Sequence, residues 1–217
     1  MKKFDNSFLC YVDNSSGRRV NLIAGVDEVG RGPLAGPVVA ASVIFSPGVE
    51  IEGINDSKKL SEKQREELLP QILEKALAYS VCAISHAKID EINILQASLL
   101  AMLNAVSRLK IEPDLVLVDG NKKFKFNVPV ISIVKGDGKS FAIAAASIIA
   151  KVARDRLMKR LDQYFPEYLW EKNKGYPTRE HILAVKIFGA SPLHRKTFLK
   201  NILSEYSIKD EFKLTRG

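Results

Sequence analysis

The stretch Ala24-Gly25-Val26-Asp27-Glu28-Val29-Gly30-Arg31-Gly32-Pro33 sets an apolar run against two adjacent carboxylates and an arginine bracketed by glycines. The residues leading into it, Val20 to Val26, are rich in branched apolar side chains and predict a strand with the carboxylates at its end. Successive strand side chains point to opposite faces, so Asp27 and Glu28 cannot both face one site from regular strand. One of them is expected to leave the strand geometry or to bind through its backbone.

Working outward, Gly36 to Phe45 is apolar and β-branched and predicts a second strand running back from the turn as a hairpin. Ser61 and Gln64 have capping-box spacing and predict a helix, kinked at Pro70. Tyr79 to Ile84 reads as a strand. From Asp90 to Leu109, the apolar residues Leu95, Leu99, Met102, Leu103 and Val106 recur at helical spacing. Leu115 to Val118 is a continuous apolar run, as in a strand buried on both faces, and it ends at Asp119-Gly120. Val128 to Val134 is a further short strand, ending at Lys135-Gly136-Asp137, and an alanine-rich helix is expected from Phe141 to about Leu161. Strands joined by helices after an early hairpin predict an α/β domain with a mixed sheet. The expected division is a leader over 1–20, a catalytic domain over 21–200 that includes a C-terminal helical part, and a polar tail over 201–217.

The 217 residues carry 33 Lys and Arg against 25 Asp and Glu, a net charge of +8. Lys151 to Lys200 alone holds twelve basic and five acidic residues, which points to a polyanionic partner bound along that segment. Cys10 and Cys82 show no metal-binding spacing. A basic start followed by Asp5, Asn6 and Ser7 is no signal peptide, and no run of about 20 apolar residues is present, so the expectation is a cytoplasmic chain with no membrane partner.

Two nucleotide motifs are imitated. Gly30 to Ala35 fits the dinucleotide fingerprint, but that motif must open a helix, and Pro33, Pro37 and a strand follow. Gly138-Lys139-Ser140 resembles the end of a P-loop, yet the position that needs the first glycine is Ile133; a nucleotide hydrolase stands as the alternative. His86, His181 and His194 are scattered along the chain and lack a paired nucleophile. The positive case is Asp27, Glu28, Asp119 and Asp137, each at the end of an apolar strand. Crowded carboxylates are stable only with a cation or shared protons, and an all-oxygen set selects Mg²⁺ or Mn²⁺. Two such ions suit phosphodiester hydrolysis. A lone aspartate is more often a turn or cap residue, and Asp137 has a helix close behind it. A nucleic-acid-binding module with structural acids is the third reading.

Taken together, Val26 to Pro37, Asp56-Ser57-Lys58-Lys59-Leu60, Val118-Asp119-Gly120, Lys135-Gly136-Asp137 with Ala144 to Asp155, and Gly175-Tyr176-Pro177-Thr178 resemble bacterial ribonuclease HII, in order from about Leu22 to Phe198. The resemblance implies a ribonuclease H-like five-stranded mixed sheet flanked by helices, with a C-terminal helical extension. It implies endonucleolytic cleavage of RNA in RNA–DNA hybrids and at ribonucleotides embedded in duplex DNA. By residue, it implies Asp27, Glu28, Asp119 and Asp137 as catalytic metal ligands, and Gly30, Arg31 and Gly32 as the loop reading the 2′-hydroxyl. It also implies Tyr176 as a ring packed on the deoxyribose after the junction, and Lys58 near substrate phosphates. Arg31 between two glycines and the short leader favour this class over ribonuclease HIII. The tail carries no convincing sliding-clamp motif, and the chain is expected to act as a monomer.

Overall fold

The computed structural model describes residues 1–9, 19–55 and 57–205, with side chains to residue 200. Cys10, Asp56 and the end of the tail therefore lie outside the described residues. The chain builds a five-stranded mixed sheet from β1 (Ile23–Val29), β2 (Val38–Phe45), β3 (Ala76–Ile84), β4 (Leu115–Asp119) and β5 (Val130–Ile133), in the order β3-β2-β1-β4-β5. β2 runs antiparallel to both β1 and β3, whereas β1, β4 and β5 are parallel. The parallel trio aligns the C-terminal ends of the three acid-bearing strands at one edge of the sheet.

Helices α1 (Lys2–Asn6), α2 (Glu62–Lys75), α3 (His86–Ser107) and α4 (Phe141–Asp162) surround the sheet, and α5 (Trp170–Asn173), α6 (Arg179–Phe188) and α7 (Lys196–Glu205) form the C-terminal part. The capping box at α2 is complete, with Gln64 N–H donating to Ser61 Oγ and Ser61 N–H donating to Gln64 Oε1. Pro70 lies inside α2, and the helix continues past it. α3 begins earlier than its periodicity predicts, at the Ser85 cap, and is interrupted at Asn93, which adopts φ 65°. Asn93 accepts from Gln96 N–H and so restarts the helix as a cap. α3 is also long and apolar enough to cross a membrane, with 22 residues and mean hydropathy 1.2. Here its apolar stripe, Ala97, Ala101, Met102 and Ala105, is buried against Ala24, Val26 and Ala40 of the sheet.

The opposite face of the sheet belongs to α4, which brings Ala145, Ala146, Ile148 and Ile149 against Ala41 and Val43, and Ile143 against Leu115 and Leu117. Each fully buried isoleucine here contributes about 1.5–3 kcal/mol relative to exposure. α4 approaches β1 so closely that a Cβ on Gly25 would lie 2.1 Å from the carbonyl carbon of Ala142. The leader contributes a helix that the sequence reading leaves out, and Asp5 accepts from Ala142 N–H in the first turn of α4.

The Gly25 contact is backbone against backbone and cannot be relieved by a rotamer change. Gly25→Ala is expected to destabilise the fold by about 3 kcal/mol or more, beyond ordinary overpacking, with the urea midpoint as the readout.

Candidate metal centre and recognition loop

Asp27 and Asp119 come together through strand register. Gly25 pairs with Leu117 and Val26 with Val118, so Asp27 and Asp119 stand next in line on neighbouring parallel strands. Both follow the parity of residues facing α4. Asp137 reaches them from a one-turn 3-10 helix, Gly136–Gly138, just past β5. One carboxylate oxygen from each of Asp27, Asp119 and Asp137 lies within 4.8 Å of the other two, the one such group of possible metal ligands among the described residues. Asp27 and Asp137 are each only 5% exposed.

Burial pushes the Asp27 carboxyl well above the usual carboxylate range, and the charges of Glu28 and Asp119 push it further. Hydrogen bonds from Ser147 and from Glu28 N–H, the latter at 2.7 Å, pull the other way without winning. Asp119 accepts from Gly136 N–H at 2.6 Å, which ties the Asp137 turn to β4. Lys58 Nζ lies 3.4 Å from Asp137 Oδ2, on a loop held down by Arg65, which donates to the Ser57 carbonyl at 2.9 Å. An all-oxygen, buried and mutually repelling set of this kind fits a hard divalent cation, Mg²⁺ or Mn²⁺.

Contrary to the expected strand boundary, Asp27 and Glu28 lie inside β1, which continues to Val29. Strict alternation therefore separates them, and Glu28 stands outside the three-carboxylate group. Its Oε1 is 3.3 Å from Arg31 Nη1. Burial raises the Glu28 carboxyl, Arg31 offsets part of that, and the charge of Asp119 adds to the rise. Asp137 is no helix cap: Ser140 caps α4, accepting from Ile143 N–H at 3.2 Å. The same fact removes the P-loop likeness, since Ser140 serves the helix and the preceding turn is three residues long.

Gly30 to Pro37 is a loop leading into β2 rather than the opening of a helix, which bears out the rejection of the dinucleotide reading. Two buried arginines grip its carbonyl oxygens. Arg195 donates to Gly30, Arg31 and Gly36 at 2.6, 2.9 and 3.0 Å. Arg154 donates to Ala35 and Pro37 at 3.3 and 3.0 Å and reaches Lys174 of the next loop at 2.9 Å. Gly30 has φ +94°, and a Cβ there would lie 2.3 Å from Arg154 Nε. Arg31 and Gly32 remain exposed. Tyr176 is half-buried, its ring beside Gly32 and 5.7 Å from the Arg154 guanidinium. Leu34 N–H donates to the Gly175 carbonyl at 2.7 Å, so the Gly30 loop and the Tyr176 loop are joined directly.

The sequence reading misses Arg154 and Arg195 as supports. It counts them in a basic segment expected to face a polyanion, whereas both are 0% exposed. Much of the remaining charge there is paired internally: Lys151 with Asp155, Arg156 with Glu66, Lys159 with Glu62, and Lys172 with Glu180. It also treats the histidines as scattered, while His181 and His194 meet in the interior with Nε2 atoms 3.1 Å apart.

Residues 24–207 match the family model described as Ribonuclease HII. Among curated relatives, Ribonuclease HII of Caldicellulosiruptor saccharolyticus is 48% identical over 199 residues, covering 92% of this chain and 97% of that protein. Among solved structures, the crystal structure of ribonuclease H2 from Pyrococcus horikoshii OT3 is similar with TM-score 0.68 and 32% identity, over 81% of this chain and 93% of that one. The PCNA:RNase HII complex from Archaeoglobus fulgidus gives TM-score 0.69 and 29% identity, over 81% and 94%.

A buried carboxyl whose pKa is raised on folding costs nothing while protonated. It costs stability as pH climbs from its unfolded value, about 3.9, through the higher folded one. Asp27→Asn is therefore expected to raise Tm in EDTA at pH 8 by several degrees, each kcal/mol counting for about 2–4 °C at this size. The gain should fade toward pH 4, and thermal unfolding across that range reads it.

Proposed function

Because the chain belongs to the ribonuclease HII family, we propose that this ribonuclease H hydrolase cuts RNA in RNA–DNA hybrids and also cuts on the 5′ side of ribonucleotides embedded in duplex DNA, serving their removal. The observation that carries the reading is the group of three carboxylate oxygens within 4.8 Å of one another, gathered at the C-terminal ends of parallel strands, with Gly30-Arg31-Gly32 in the loop after β1. Asp27, Asp119 and Asp137 are the ligands, and Glu28 joins them as the fourth acid, supported by its burial and its electrostatic coupling to Asp119. Bound there, two divalent ions supply an activated water and charge neutralisation at the leaving oxygen.

The remaining work falls to the chain itself. Arg31 and the Gly30–Gly32 backbone meet the ribose, whose 2′-hydroxyl is what distinguishes RNA from DNA. Tyr176 packs against the deoxyribose beyond the junction, and Lys58, next to Asp137, faces a substrate phosphate. Cleavage breaks the bond from phosphorus to O3′ and joins the water oxygen to phosphorus. A proton ends on O3′, so the products carry a 3′-hydroxyl and a 5′-phosphate.

A duplex with one embedded ribonucleotide should be nicked in Mg²⁺ or Mn²⁺ and left intact in EDTA. Asp27→Asn and Asp119→Asn should each lower that rate by about 10²-fold or more, equivalent to roughly 2.7 kcal/mol of barrier. Near-normal turnover in either variant would remove the ligand assignment, and phosphate release from ATP without nucleic acid would favour a nucleotide hydrolase. Tyr176→Ala should slow cleavage at a lone ribonucleotide by about tenfold more than cleavage of a long hybrid, since one stacked ring contributes about 1–3 kcal/mol. Equal losses on both would end its junction-reading role.

A further inference from the structure

The interior of the C-terminal part holds a chain of polar contacts with one consistent set of protons. Ser191 N–H points at His194 Nδ1 at 2.9 Å. A backbone N–H only donates, so His194 Nδ1 accepts and its proton sits on Nε2. That Nε2 lies 3.1 Å from His181 Nε2. The indole N–H of Trp170, a donor only, also points at His181 Nε2 from 3.1 Å. His181 Nε2 therefore accepts, and its proton sits on Nδ1, 2.9 Å from the carbonyl oxygen of Tyr176. Every contact then runs from donor to acceptor, from Ser191 through His194 and His181 to Tyr176.

Both rings are buried, His181 at 0% and His194 at 2% exposed. Tyr168 and Trp170 pack around them, and ring centroids are 4.8 Å apart for Tyr168 and His194. Burial holds both rings below the usual histidine range, His194 at about 4 with His181 adding to the effect, so the pair is neutral. The terminus of the chain of contacts, Tyr176, has its ring beside Gly32 of the Gly30–Gly32 loop. The backbone just before it is in the left-handed region at Lys174, φ 53°, and Gly175, φ 82°, and the Tyr176 backbone is held by its N–H on the Asn173 carbonyl at 2.9 Å, by Thr178 N–H on the Tyr176 carbonyl at 2.8 Å and by the His181 side chain on that same carbonyl.

We infer that the His181–His194 pair is a positioning unit for Tyr176, holding the tyrosine peptide through His181 Nδ1–H so that the ring keeps its place against Gly32. The inference rests on the proposed junction-reading role of Tyr176. Neither histidine touches substrate; the pair acts through the tyrosine.

The test compares nicking of a duplex containing one ribonucleotide with cleavage of a long RNA–DNA hybrid. His181→Leu, which lacks the Nδ1 donor, should lower the ratio of the two rates by about tenfold, matching Tyr176→Ala, and adding Tyr176→Ala to it should lower the ratio no further. His181→Asn, whose amide N–H can stand near the Nδ1 position, should recover most of the ratio. A merely structural role would lower both rates together and leave the ratio unmoved, which overturns the inference. So would a His181→Asn ratio as low as that of His181→Leu. Tyr176→Ala alone separates the two ideas: an unchanged ratio there overturns the junction reading, whereas a changed one beside an unchanged His181→Leu overturns this inference only. Should His181→Leu fail to fold, long-range proton–nitrogen spectra of the unaltered protein decide. One ring protonated on Nδ1 and the other on Nε2 at about pH 7 to 8 is expected, and a charged ring or the reverse assignment refutes the chain of contacts.

Discussion

The backbone of α4 against Gly25 is the contact from which the rest of the site is measured. With Ala142 lying directly on β1, helix and strand advance together, and their different rises come into step. Five helical residues carry Ala142 to Ser147, about 7.5 Å, while two strand residues carry Gly25 to Asp27, about 7 Å, which is where Ser147 meets Asp27. Twelve helical residues reach Arg154, about 18 Å, and five residues along the strand and its end reach Gly30, about 17 Å, where the Arg154 guanidinium fills the space a Cβ would need. One helix thus indexes both the acid cluster and the Gly30–Gly32 loop. The alanines of α4 follow from the same constraint, since only small side chains allow that approach.

At the acid cluster the fold accepts an electrostatic cost. Burial and like charges oppose the ionised form of Asp27, and the hydrogen bonds from Ser147 and Glu28 N–H offset only part of this. Hydrogen bonds fix the geometry all the same: Gly136 N–H on Asp119 sets the turn that carries Asp137, and Lys58 and Ser57 close the other side. A site held in register while its charges repel is predisposed to a cation, because the rigid backbone cannot relax the acids apart. Glu28 shows the limit of this arrangement. Alternation along β1 turns it from Asp27 and toward Arg31, 3.3 Å away, so the acids of β1 and the Gly30–Gly32 loop meet in that ion pair.

How far the sequence discloses this depends on whether the cause is local. The capping box at Ser61, the α4 span and the apolar strand of Leu115 to Val118 are set by near neighbours and are legible. The acids at the strand ends are legible too, since a carboxylate directly after an apolar run is a local anomaly. The extension of β1 through Glu28 is not, because pairing with Ala40 and Ala41 of β2 decides it. The break at Asn93 and the docking of Asp5 on α4 are likewise tertiary.

Charge is where the sequence misleads, and the reason is physical. An arginine reads the same in a list whether its guanidinium faces a phosphate or a carbonyl oxygen of its own chain. Arg154 and Arg195 each direct their donors at loop carbonyls, and burial and the charge of Arg154 press the Arg195 pKa down to about 9, with Tyr176 and Asp90 offsetting only part. A lysine would supply three donors from one point, whereas the planar guanidinium spreads its donors over Gly30, Arg31 and Gly36 at once. Geometric reach, rather than attraction to nucleic acid, accounts for arginine at these two positions. The Tyr176 loop is held by Arg154 at the Lys174 carbonyl and by the buried imidazole of His181 at the Tyr176 carbonyl, where a further buried cation beside Arg154 and Arg195 would have added repulsion. Arg154 thus spans both loops, and the hydrogen bond from Leu34 to Gly175 joins them directly.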